Sequence, residues 1–185
     1  MILIYTALLC EAQCFIERYK LKKINSKPKI YTNNKIIICI GGVGKENTFN
    51  SLNYIFNNFT IKKAYNIGIA GINNKNIKIG SLFCTTANIK DIPYLQLTTV
   101  DKPQVKTTAK EISLYDMEGK YFLEICLKYL TNNNIFILKI VSDHLDLLKL
   151  SKDEIKKLIC SIKKIVSTQL ICGVTNSGYR LSWFS

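Results

Sequence analysis

Three carboxylates in this chain stand where catalysis could use them. Glu11 comes shortly after the apolar run Ile2 to Thr6, Glu118 opens a helical stretch, and Asp143 closes the apolar run Ile135 to Val141. A carboxylate placed directly after a buried strand suits a general base. Each also has a plainer reading. Glu11 and Glu118 are equally helix-start carboxylates, which the helix dipole favours. Asp146, three residues after Asp143, reads as a supporting group or as surface. His144, the only histidine, adjoins Asp143 and reads either as an assistant to it or as a structural residue. No spacing of His, Cys, Asp and Glu suggests a metal site, so neither metal nor cofactor is expected.

Two glycine segments accompany the carboxylates. The first, Gly41-Gly42-Val43-Gly44-Lys45, can be mistaken for a phosphate-binding P-loop, but Cys39 stands where the first Gly of that motif belongs and Glu46 where its Ser or Thr belongs. Its small residues instead permit close backbone approach to a pocket. The second is Asn66-Ile67-Gly68-Ile69-Ala70-Gly71.

The elements that must position these residues follow from periodicity. Ile2 to Thr6 predicts a strand buried on both faces, and Ala7 to Lys20 a helix. Residues 21 to 34 are polar and lysine-rich, with an edge strand near Ile30 to Thr32; Ile36 to Ile40 is a further buried strand. After the glycine turn a helix places Phe49, Leu52, Ile55 and Phe56 on one face. Strands are expected at Ala64 to Ile69, Ser81 to Ala87, Tyr94 to Thr99 and near Ser113 to Tyr115. A helix from about Met117 to Leu130 follows, with Phe122, Ile125, Cys126 and Tyr129 inward. A strand from Ile135 to Val141 and an amphipathic helix from Lys152 to Leu170 complete the series. Repeated strand and helix units argue for one α/β domain over residues 1 to 185, a sandwich around a mostly parallel or mixed sheet. Ligands in such sheets gather at strand ends.

Composition narrows the partners. The formal charge of +13 invites a nucleic-acid reading, but only two of the 26 basic residues are arginine and the lysines are dispersed. Bidentate phosphate and guanine contacts favour Arg, so a solvated surface is the better account. Seven cysteines form no CxxC pair and several lie in apolar runs, which suits a reducing compartment. The apolar run Met1 to Cys10 lacks a basic leader and is far shorter than a membrane span. A cytoplasmic protein without a membrane partner is expected. The tail from Gly173 to Ser185 is aromatic and is expected to pack on the core.

Taken together, these segments resemble the motifs of the nucleoside phosphorylase superfamily, over about residues 2 to 146 and in that family's order. Leu114-Tyr115-Asp116-Met117-Glu118-Gly119 is similar to its signature of a Met-Glu pair opening a helix, and Ile140-Val141-Ser142-Asp143-His144-Leu145-Asp146 to its Ile-Ser-Asp-x-x-Asp segment. The resemblance implies a phosphorylase-like fold, a three-layer sandwich around a central mixed sheet. It also implies cleavage of an N-ribosidic bond through an oxocarbenium-like sugar. Asp143 would protonate the leaving purine, holding its proton through burial or by sharing it with the base. Glu118 would hold ribose hydroxyls, binding tighter as positive charge develops. Met117 would pack beneath the sugar, though Met fills ordinary core gaps as well. Gly42, Gly68, Ala70, Gly71 and Ser142 would line the substrate.

Glu11 aligns with the water-activating glutamate of the methylthioadenosine/S-adenosylhomocysteine nucleosidases. The hexameric phosphorylases carry an arginine where this chain has Asn66, because a phosphate dianion needs a fixed cationic fork. Hydrolysis of a purine nucleoside or thionucleoside is therefore the leading expectation, with a phosphorylase or a catalytically weakened nucleoside-binding protein as alternatives. Departures mark the limits of the match. Ile69 stands where a serine is usual, Lys139 where an arginine is usual, and Thr98 to Gln104 lack the aromatic expected to stack on the base. Lys139 could still offer a cation, even to phosphate. Family members commonly form homodimers, and a dimer is implied here.

Overall fold

The computed structural model describes residues 1–146 and 150–172; the aromatic tail falls outside them. The elements are β1 (Ile2–Thr6), α1 (Leu9–Arg18), β2 (Lys22–Ser26), β3 (Lys29–Thr32), β4 (Ile36–Ile40), α2 (Lys45–Asn58), β5 (Lys63–Ile72), β6 (Leu82–Cys84), β7 (Leu97–Thr99), β8 (Leu114–Asp116), α3 (Gly119–Cys126), β9 (Ile135–Asp143) and α4 (Lys152–Cys172). Among the described residues, nine strands form one mixed sheet with a path β2-β3-β4-β1-β5-β8-β7, and β9 joins the other edge of β5 and carries β6.

The central strands β4, β1, β5 and β9 are parallel to one another, and nearly all their residues are buried. Covering both faces of such strands requires helices on each side. One apolar layer joins Ile4, Ile38, Ile67 and Leu138 to Phe15 of α1 and Ile159 of α4. The opposite layer joins Leu3, Ile37 and Ile137 to Leu52 and Ile55 of α2 and Phe122 and Ile125 of α3. This is the three-layer arrangement expected. Helix α4 starts with a capping box in which Ser151 and Glu154 exchange bonds, Glu154 Oε2 accepting from Ser151 N at 2.8 Å and Ser151 Oγ accepting from Glu154 N at 3.3 Å.

Several bounds differ from the sequence reading, each for a physical reason. Strand β2 was not expected, because an edge strand exposed on both faces shows no apolar alternation; its lysines keep that edge soluble. Helix α3 ends at Cys126, so Tyr129 is 49% exposed instead of inward and stacks on Phe56 at a centroid distance of 4.3 Å. Strands β6 and β7 are only three residues each. Among the described residues, no helix is long and apolar enough to cross a membrane.

The sheet is forked at β5. On one edge β5 pairs with β9 from Ala64 to Gly71. On the other it pairs with β1 up to Asn66 and with β8 only from Gly71. Residues 67 to 70 therefore face a gap between β1 and β8, and the carboxylates collect there.

Candidate active site

Glu11 fills the fork. Its Oε2 accepts hydrogen bonds from the backbone N–H of Ala7 at 3.0 Å and of Leu8 at 2.9 Å, and its Oε1 accepts from Ile69 N–H at 3.2 Å. The helix-start reading is met, since one oxygen bonds the entry of α1, while the other oxygen ties the same side chain to β5. Burial pushes the Glu11 carboxyl above the ordinary carboxylate range, against the pull of Lys139 and those N–H donors.

Gly68 makes room for this. A Cβ there would lie 2.9 Å from Glu11 Oε1 and 3.4 Å from Lys139 Nζ. Lys139, the cross-strand neighbour of Gly68, is 2% exposed and points its ammonium to Asp116 Oδ2 at 2.8 Å and Asn66 Oδ1 at 3.0 Å. Burial alone would lower its pKa, but Asp116, Glu118 and Glu11 outweigh that and raise it. Asp116 also accepts from Thr99 Oγ1 at 2.7 Å and Gly119 N–H at 2.8 Å.

Glu118 follows directly after β8 at the head of α3 and accepts at Oε1 from Gly44 N–H at 3.0 Å. Gly44 has φ of 89°, a backbone state that glycine adopts without strain, and this turns the first glycine segment toward the carboxylate. Desolvation pushes Glu118 up to about 7; Lys139 opposes the rise, while Asp116 and Glu11 add to it. One buried ammonium cannot neutralise three buried carboxylates, and the imbalance is eased by proton uptake, the direction in which burial moves Glu11 and Glu118.

Asp143 sits at the end of β9 behind a bulge. The register shifts between Ala70 and Gly71, so that Gly71 pairs with Asp143 and Ser142 is the extra residue. Bulges of this kind re-aim a side chain beside a site. Asp143 Oδ2 accepts from Ser142 Oγ at 2.6 Å and Oδ1 from Leu145 N–H at 3.0 Å.

These residues enclose a cavity of about 320 Å³. Its walls include Glu11, Ala70, Gly71, Met117, Glu118, Ser142, Asp143 and Asp146. Gly68 and Lys139 lie behind that wall, and Gly42 lines a neighbouring cavity. His144 turns to the carbonyl of Ile77 at 2.9 Å and is not part of the lining. Sequence reasoning missed two contributors. Asp116, quoted only within a motif, is the partner of Lys139 and lines the cavity; a carboxylate ending a buried strand was the available signal. Tyr115 also lines it, beside Val100, Pro103, Gln104 and Val105 of the segment that lacks the expected stacking residue.

No protein-family model matches the chain and no curated protein matches its sequence. Solved structures do match. The futalosine hydrolase of Helicobacter pylori superposes with a TM-score of 0.77 at 15% identity, covering 91% of this chain and 96% of that one. The fold is that of the nucleosidases. The 5'-methylthioadenosine/S-adenosyl homocysteine nucleosidase of Helicobacter pylori gives 0.77 at 16% identity over 91% and 97% of the two chains. The Chlamydia trachomatis nucleosidase bound to adenine gives 0.74 at 18% identity over 92% and 98%. In this fold the fork at β5 brings the ends of β1, β5, β8 and β9 to one place.

Proposed function

We propose that this chain is a purine nucleoside or thionucleoside N-ribosyl hydrolase. The observation that carries the reading is the composition of the cavity wall. Glu11, Asp116, Glu118, Asp143 and Asp146 line it, and no Lys, Arg or His among the described residues does. A phosphate dianion in that place would meet five carboxylates of which Lys139 pairs only Asp116, whereas water and a sugar acquiring positive charge are favoured. Lys139, the nearest buried cation, is committed to Asp116 and Asn66.

In this mechanism Glu11 takes a proton from water as its oxygen attacks the anomeric carbon. The N-glycosidic bond breaks, its electron pair goes to the purine, and Asp143 supplies or shares a proton with the departing base. Glu118 holds the ribose hydroxyls over Met117, and the products are the free sugar and the free base. The names of the matched structures, a hydrolase and two nucleosidases, agree with this chemistry. The test is base release from methylthioadenosine, S-adenosylhomocysteine, adenosine and inosine with and without phosphate. Release in phosphate-free buffer that Asp143→Asn removes is expected; a strict need for phosphate would make the protein a phosphorylase, and binding without product would make it a nucleoside-binding protein.

The same reading includes a homodimer in the cytoplasm. Val43 and Val105, 40% and 44% exposed, both line the cavity, and a second subunit would cover them. The described cysteine side chains are all free thiols, as a reducing compartment would keep them. Light scattering on the purified protein tests the dimer.

A further inference from the structure

A larger cavity of about 990 Å³ adjoins the carboxylate-lined one, and Ala7 and Leu8 belong to the walls of both. The inner cavity, at about 320 Å³, stands at the small end of ligand sites. With the base fixed at Asp143 and the ribose at Glu118, Ala7 and Leu8 mark the side on which the inner cavity borders the outer one. The wall there has the opposite charge. Lys27 comes from the turn between β2 and β3, Lys29 opens β3, and Lys152 and Lys156 come from the first turns of α4. Among the described residues Asp153 is the one carboxylate in that lining, and Lys156 is also 3.2 Å from Glu17, which leaves Lys27, Lys29 and Lys152 as the larger part of the positive field. The hairpin turn that carries Lys27 and leads into Lys29 is pinned, because Asn25 Nδ2 donates to the carbonyls of Lys27 at 3.0 Å and Pro28 at 3.1 Å.

We infer that the outer cavity takes the 5′ extension of the nucleoside, and that its lysines select an extension ending in an anion, a phosphate or a carboxylate. This rests on the hydrolase reading for the placement of base and ribose. The lysines do not touch the reacting atoms, so they set which substrate enters and leave the bond-breaking step to the inner cavity. Their advantage is electrostatic and falls with salt.

The experiment compares base release from adenosine, adenosine 5′-monophosphate and a 5′-carboxyalkylthio-adenosine, at low and high salt, by the wild type and by a Lys27→Gln/Lys29→Gln/Lys152→Gln variant. A preference for an anionic substrate of about tenfold in kcat/KM is expected from several partly exposed charges acting together. The variant and high salt should each abolish it while adenosine turnover stays unchanged. Preference for one anion over the other identifies which extension fits. Equal turnover of neutral and anionic substrates, or a preference that survives in the variant, overturns the inference. Should none of the three release base, the hydrolase reading fails separately. Titration of the same protein with adenosine and its monophosphate then decides: tighter binding of the monophosphate, lost in the variant, upholds anion selection, and equal binding overturns it.

Discussion

The two cavities share a wall at Ala7 and Leu8, yet they handle charge in opposite ways. The inner one places carboxylates on strand ends and on the fork of β5, where backbone N–H groups and one buried ammonium hold them. The outer one carries exposed or half-buried lysines on the β2–β3 hairpin and a helix start. The difference is one of dielectric. A charge that cannot reach water shifts its own proton equilibrium and acts on bonds being broken, whereas a charge at the wet rim is screened and steers what arrives. Breaking the comparison therefore means removing charge from each place and asking whether chemistry, stability or selection changes.

The largest effect is expected at Glu11. Glu11→Gln keeps the shape but not the base, and base release should fall by about 10²- to 10⁴-fold, as for loss of a general acid or base. Single-turnover assays on methylthioadenosine and adenosine would measure it. A loss below about threefold would return Glu11 to the role of helix-start carboxylate alone.

Lys139→Met is expected to act on stability as much as on activity. Removing one partner from a buried ion pair costs about 3 to 5 kcal/mol, because Asp116 is left without its cation. Urea unfolding would read the loss, and the double variant Asp116→Asn/Lys139→Met should recover part of it. A single variant as stable as wild type would show that the inner charges are not coupled.

The contrast between the cavities also separates what the sequence disclosed from what it withheld. Strands β1 and β4 and the start of α4 were legible because apolar runs bounded by polar residues leave few alternatives. Glu11, Glu118 and Asp143 were legible because their spacing relative to those runs matched a known order. The Lys139–Asp116 pair was not, since Lys139 and Asp116 come from different strands and only the register Gly68↔Lys139 aims the ammonium into the fork. The outer cavity was hidden for a related reason. Lys27, Lys29, Lys152 and Lys156 lie among 26 basic residues, and nothing local distinguishes those that converge from those that face open water.

Gly68→Ala tests how closely the inner site is fitted. The new methyl would stand 2.9 Å from Glu11 Oε1, so the carboxylate must move by a few tenths of an ångström or more. Misplacement of a catalytic group by about 1 Å can cost about 10²-fold, and a drop of about tenfold in kcat is expected here. Unfolding measured alongside should show a change of only about 1 kcal/mol, which separates this from collapse of the fold.

The most gradual effect, and the one that most sharpens the contrast, is the pH response of Glu118. Its pKa is raised by desolvation to about 7, above the carboxylate's ordinary value. In the folded protein it therefore keeps its proton over a pH range in which the unfolded chain has lost it. Its contribution to stability is full at pH values below the unfolded value and is lost as pH rises through about 7, on the order of 3 kcal/mol in all. Activity runs the other way. Ribose binding uses the ionised form, so kcat/KM should climb about tenfold per pH unit on the acid side of 7 and level off above it. Glu118→Gln should flatten both the stability slope and the activity limb, whereas the triple lysine variant of the outer cavity should leave both in place. If the lysine variant shifted the limb instead, the two cavities would form one electrostatic unit, and the wall at Ala7 and Leu8 would not divide them.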